Sequence, residues 1–79
     1  MKIIKETQYL AFVETPTRGK TKVIAIVNRH HEQIIGEIRW FGRWRQYCFF
    51  PYNDTVWNTT CMDDVNSVIG ELKNERKQE

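Results

Sequence analysis

Two β-rich runs meet across a short turn in the stretch QIIGEIRWFGRWRQYCFF, which spans residues 33–50. The runs 33–40 and 44–50 are rich in isoleucine and aromatic residues, the types enriched in strands. Gly42 lies between them and can supply the positive φ that a tight turn requires. The stretch therefore predicts an antiparallel β-hairpin, around which the rest of the fold is arranged.

The length of the hairpin loop decides which side chains share a face, and two lengths fit the sequence. With a two-residue loop, one face carries alternate residues of both strands, namely Ile38, Trp40, Arg43, Arg45, Tyr47 and Phe49. With a three-residue loop, Trp40 instead shares its face with Trp44, Gln46, Cys48 and Phe50. The sequence leaves both registers open.

Two further strands are predicted before the hairpin. Residues 8–14 form a β-rich run that ends where Pro16 and Gly19 interrupt extended pairing. Residues 21–28 are apolar at successive positions, which favours a central strand with both faces at least partly covered. Together with the hairpin, these runs predict an antiparallel meander of three to four strands.

The C-terminal part of the chain predicts a helix over residues 60–76. Thr60 stands at its start with Asp63 three residues later, the spacing of a capping box. Apolar residues then recur at helical spacing at Cys61, Val65, Val68, Ile69 and Leu72. The predicted fold is α+β, a single domain over residues 1–79 with this helix packed on one face of the meander.

One helix covers only one face of a sheet, and the sequence supplies apolar residues for both. The run 21–28 and the hairpin strands carry apolar side chains at odd and even positions. An apolar face is therefore expected to remain open, and such a face usually dimerises or binds a partner.

Several function classes are disfavoured. No run approaches the roughly 20 apolar residues of a membrane span, and the start has no signal-peptide pattern, so we expect a cytoplasmic protein without membrane contact. His30, His31 and Glu32 are expected to form a solvated turn, because adjacent side chains on an extended strand would point to opposite faces and not ligate one metal ion together. Cys48 and Cys61 are expected as buried apolar thiols. No nucleophile motif or phosphate loop is present, so neither enzyme activity nor a cofactor is predicted.

The charge is unevenly distributed along the chain. Residues 1–59 hold nine Lys/Arg against five Asp/Glu, a net charge of +4, whereas residues 60–79 hold three against five, a net charge of −2. This asymmetry indicates a basic sheet and an acidic helix.

Arginines and aromatic residues alternate in RWFGRWRQY, residues 39–47. Guanidinium groups contact phosphates while aromatic rings stack on bases, and the pattern therefore favours a non-enzymatic nucleic-acid-binding module. The competing interpretation places the tryptophans in the core, with arginines packed over them at the surface. The predicted binding residues are Arg39, Trp40, Arg43, Trp44, Arg45 and Tyr47, with Lys20 and Lys22 as backbone contacts.

The hairpin also resembles a set of small uncharacterised bacteriophage and bacterial proteins that share a pattern of Gly-x-Ile-x-Trp, a turn, Trp-Arg-x-Tyr-x-Phe-x-Pro and then a helix. The matching positions here are Gly36, Ile38, Trp40, Trp44, Arg45, Tyr47, Phe49 and Pro51, continuing to Val56, Cys61 and Val65. The resemblance implies a phage or mobile-element origin. It supports an alternative function as a protein-interaction module or an inhibitor of a host defence protein. The open sheet face would in addition allow such a module to form a homodimer.

Overall fold

Five antiparallel strands form one meander in the computed structural model, which describes residues 2–77 and the side chains of residues 2–75. The strands follow each other in sheet order and a single helix follows them. The elements are β1 (Lys2–Glu6), β2 (Leu10–Thr15), β3 (Val23–Asn28), β4 (Gln33–Phe41), β5 (Gln46–Pro51) and α1 (Thr59–Lys77). The α+β class and the C-terminal helix are as predicted, but the prediction of three to four strands is wrong.

The strand missing from the prediction is β1. It pairs with β2 through Ile3↔Val13, and the register shifts between Ile3 and Lys5. Alternation places Ile4 against the core and Ile3 on the opposite face, and the bulge brings Lys5 opposite Phe12, on the same face as Ile4. Two adjacent isoleucines in a five-residue segment show no alternation, so the pattern gave no strand signal.

The core lies between the sheet and α1. The helix contributes the buried residues of one stripe, namely Cys61, Val65, Val68 and Leu72. The sheet contributes Leu10, Phe12, Ile24, Ile26, Ile38 and Tyr47. This arrangement confirms that the apolar stripe of the helix packs on one face of the sheet, here called the helix face. The other side is called the open face.

The helix begins one residue earlier than predicted and is capped by a different residue. The Asn58 Oδ1 atom accepts a hydrogen bond from the Cys61 amide at 2.8 Å, which makes Asn58 the N-cap. Thr60 already lies within the first turn, and Asp63 falls beyond it. The prediction of a capping box from Thr60 to Asp63 is therefore wrong. Within residues 2–77 the helix is not apolar over the length that a membrane span needs.

Candidate nucleic-acid interface

A four-residue loop, residues 42–45, joins β4 to β5, so the predicted loop lengths of two and three residues are both wrong. The last strand pair is Phe41↔Gln46, and the Trp44 amide donates to the Phe41 carbonyl oxygen at 3.2 Å. Arg45 has a φ of 52°, whereas none of the described glycines has a positive φ. The prediction that Gly42 supplies the left-handed residue is thus wrong; Arg45 takes that conformation.

The register places two of the predicted binding residues on the helix face. Trp40 pairs with Tyr47, and their rings meet edge to face with centroids 5.4 Å apart. Tyr47 is only 7% exposed, and its hydroxyl accepts a hydrogen bond from the Lys22 amide at 3.0 Å. Trp40 is half-buried against the core. Tyr47 therefore holds the β2–β3 loop against the hairpin, and both rings are turned away from the open face.

The open face carries a cluster of three aromatic rings and one arginine, here called the aromatic cluster. Trp44 contacts Phe41 edge to face, with centroids 5.1 Å apart, and Phe41 contacts Phe50 at 6.1 Å. The Arg39 guanidinium carbon lies 3.8 Å from the centroid of the Phe50 ring. Arg39 also forms an ion pair with Glu37 at 2.9 Å. Trp44 is 67% exposed, so most of its indole faces solvent.

Four cations lie in two loops at the end of the sheet that also carries Trp44. In a meander the second and fourth turns lie at the same end, and the Lys22–Tyr47 hydrogen bond joins the segment before β3 to the hairpin here. The cationic side chains exposed in these two loops are Arg18, Lys20, Arg43 and Arg45, here called the basic end. Among the residues whose side chains are described, none of the four forms an ion pair. Their charges are available to a ligand.

Lys22 is not part of this free charge. Its ammonium group lies 2.9 Å from a Glu75 carboxylate oxygen and 3.8 Å from one of Glu14. The hydrogen bond with Glu75 raises the pKa of Lys22, against a smaller opposing effect of burial. Lys22 therefore links the sheet to the helix, and its charge is balanced within the protein.

The structure thus brings together Arg39, Arg43, Trp44, Arg45 and Lys20 of the predicted residues and separates Trp40, Tyr47 and Lys22 from them. It adds three side chains that the sequence interpretation did not select, namely Arg18, Phe41 and Phe50. Alternation along the strands is the sequence signal that could place the two phenylalanines on the open face. Phe41 is an odd number of residues from the buried Ile38 on β4, and Phe50 is an odd number from the buried Tyr47 on β5. The only sequence signal for Arg18 is its positive charge close to Lys20, from which Gly19 separates it.

Strands β1 to β4 add apolar side chains to the open face, beside the acidic Glu6 and Glu37. Ile3 is 57% exposed and Ile34 is 47% exposed. They flank the half-buried Val13, Ala25 and Val27 on strands β1 to β4. We call these five residues the apolar half of the open face. Cys48 is also half-buried on this face, so the expectation of two buried thiols holds for Cys61 alone.

These features define a small α+β protein in which one helix backs a five-stranded meander, and the other sheet face carries aromatic and basic side chains. The chain belongs to the family of the uncharacterised 9.3 kDa protein of Acholeplasma phage L2. The two are 36% identical over 76 residues, which cover 95% of this chain and 97% of the phage protein. No protein-family model matches the chain. Nor does any solved structure match it.

Proposed function

We propose that this chain is a non-enzymatic nucleic-acid-binding protein that uses its basic end and aromatic cluster. The observation that carries the proposal is the position of Trp44. Its indole is 67% exposed at the tip of the β4–β5 loop, between two arginines that form no ion pair among the described side chains. A large exposed ring flanked by cations suits the stacking of bases and the binding of phosphates.

The charge distribution supports the same ligand. Arg18, Lys20, Arg43 and Arg45 project from two neighbouring loops, so a phosphate backbone crossing this end of the sheet meets several cations in succession. Each phosphate contact releases condensed counterions, which supplies most of the sequence-independent affinity for nucleic acid. The proposal places the protein in the cytoplasm, where its free Cys48 and Cys61 stay reduced.

A salt titration of binding tests the proposal. Fluorescently labelled single-stranded and duplex oligonucleotides are titrated with the wild type, Arg43→Gln and Lys73→Gln at several salt concentrations. Lys73 is an exposed lysine of the helix and provides the charge-matched control. Arg43→Gln should lower the slope of log affinity against log salt by about 1, and Lys73→Gln should leave it unchanged. No binding at low salt, or equal effects of both variants, would reject the proposal.

The apolar half of the open face favours a second candidate, the binding of a second copy of the chain. Ile3 and Ile34 are about half exposed and continue a row of valines and an alanine, the kind of patch that oligomers bury. The phage origin of the relative extends this candidate to a host protein as partner. Sedimentation equilibrium of the wild type and Ile34→Lys tests the dimer, with Val56→Lys as control because Val56 is 93% exposed outside this face. A monomer at all concentrations would reject it.

A further inference from the structure

We infer that the nucleic acid bound here is single-stranded, with its phosphates along the basic end and its bases stacked on the aromatic cluster. This inference rests on the proposed function and narrows its ligand class. The inference follows from the flat side-chain groups that are exposed at this site. A base stacks on such a group through its face, which an unpaired base exposes, whereas a duplex presents only base edges and phosphates.

Trp44 offers the first stacking surface. Its ring stands at 82° to that of Phe41, so the two rings do not stack in parallel. One neighbouring ring covers at most one side of the indole, and the 67% exposure shows that the rest is open. The exposed indole therefore offers a surface on which a base can stack.

Arg39 offers the second stacking surface. Its guanidinium carbon lies over the Phe50 ring, 3.8 Å from the centroid, and the Arg39 side chain is 45% exposed. Single-stranded nucleic acids stack their bases on guanidinium planes as well as on aromatic rings. The Arg39↔Cys48 pair lies two residues from the Phe41↔Gln46 pair at the loop, a distance of about 7 Å along the strands. Arg39 therefore lies further down the open face than the loop that carries Trp44.

The two surfaces lie in sequence from the loop tip down the open face. A duplex that met the tip through its groove or backbone would contact Arg43, Trp44 and Arg45. It would leave the Arg39–Phe50 stack unused on the side of the sheet. A single strand that enters across the basic end and continues over the open face contacts both stacking surfaces and the cations. The arrangement of the aromatic cluster therefore favours a single strand.

Competition between matched oligonucleotides tests the inference. Anisotropy titrations compare single-stranded DNA, single-stranded RNA and a blunt duplex of the same sequence, using the wild type, Trp44→Ala and Tyr52→Ala. Tyr52 is an exposed aromatic residue outside the cluster and is the matched control. We expect a single strand to bind at least about tenfold more tightly than the duplex. Trp44→Ala should weaken single-strand binding by about tenfold, the loss that one stacked base accounts for, and Tyr52→Ala should not.

Circular dichroism first establishes that the variants are folded, and three other binding results are then possible. Equal or tighter duplex binding overturns the inference and leaves the proposed function standing. Single-strand binding that Trp44→Ala does not change also overturns the inference, because the affinity then comes from charge alone. No binding of any oligonucleotide at low salt overturns both the inference and the proposed function.

Discussion

Side chains of the same chemical type have opposite roles on the two faces of the β4–β5 hairpin. Trp40 and Tyr47 pack against the core on the helix face, while Trp44 and Phe50 belong to the aromatic cluster on the opposite side. Substitutions in the first pair should therefore lower stability. Substitution of Trp44, whose indole is mostly in solvent, should change binding with little effect on the fold.

Tyr47→Phe isolates the contribution of one buried hydroxyl. The variant keeps the ring but removes the acceptor of the Lys22 amide hydrogen bond, which spans 3.0 Å. We expect the free energy of unfolding to fall by about 1 kcal/mol, because a half-buried backbone donor loses its partner. Tyr52→Phe, at an exposed position, should change it by less than about 0.5 kcal/mol. Urea denaturation of both variants measures this; an unchanged stability of Tyr47→Phe would contradict the assigned hydrogen bond.

Two glycine positions differ in the room they leave for a Cβ atom, and the comparison tests the packing around Trp57. A Cβ atom at Gly36 would lie 3.1 Å from Trp57 Cζ2, 3.2 Å from Phe49 Cε1 and 3.2 Å from the Phe50 carbonyl oxygen. A Cβ atom at Gly42 meets no atom within 4 Å, and its φ is not positive. Gly36→Ala should therefore cost about 1–3 kcal/mol. Gly42→Ala should be neutral or stabilise by up to about 1 kcal/mol. Thermal or urea unfolding that ranks the two variants the other way would refute this packing.

The helix and the hairpin show which parts of an element can be predicted from sequence. The stripe of Cys61, Val65, Val68 and Leu72 identifies the helix because its spacing repeats over several turns. Its start depends on which of several neighbouring polar residues reaches the Cys61 amide. Asn58, Thr59 and Thr60 are all acceptable caps by type, so local pattern alone does not select Asn58.

Substitution of the two candidate caps separates them. Asn58→Ala removes the oxygen that accepts from the Cys61 amide and should lower the free energy of unfolding by about 1 kcal/mol. Thr60→Ala places a better helix former inside the first turn and should be neutral or slightly stabilising. Chemical denaturation of both variants distinguishes the caps. A larger loss for Thr60→Ala would restore the cap that the sequence pattern favoured.

The length of the hairpin loop is hard to predict from sequence for a different reason. The face assignment of Trp40 with Tyr47 matches the parity of the two-residue alternative, yet the loop has four residues. A loop longer by two residues leaves the parity of the strands unchanged, so alternation alone does not count its residues. The left-handed residue is Arg45, a type that seldom adopts positive φ, and propensity therefore pointed to Gly42 instead. As a result, Arg43, Trp44 and Arg45 lie in the loop and not on a strand face.

The candidate site depends on features beyond any one element. The sequence indicated the basic and aromatic segment because its composition is local. It could not show that Lys22 is balanced by Glu75, since that contact joins residues 53 positions apart. Nor could it place Arg18 and Lys20 beside the β4–β5 loop, which follows from the order of all five strands. The predicted asymmetry of charge corresponds to this arrangement: the four cations of the basic end lie in loops of the sheet, whereas Glu71 and Glu75 lie on the helix.

Amide chemical-shift mapping tests the location of the binding site most directly. The isotope-labelled protein is titrated with a single-stranded oligonucleotide of about eight nucleotides, which is within the usual site size of small binding folds. We predict the largest perturbations at Lys20, at Arg39 and across residues 41–46, with small changes along the helix. The opposite pattern, with perturbations concentrated in residues 59–75 or absent at low salt, would contradict the assignment of the basic end and aromatic cluster as the binding surface.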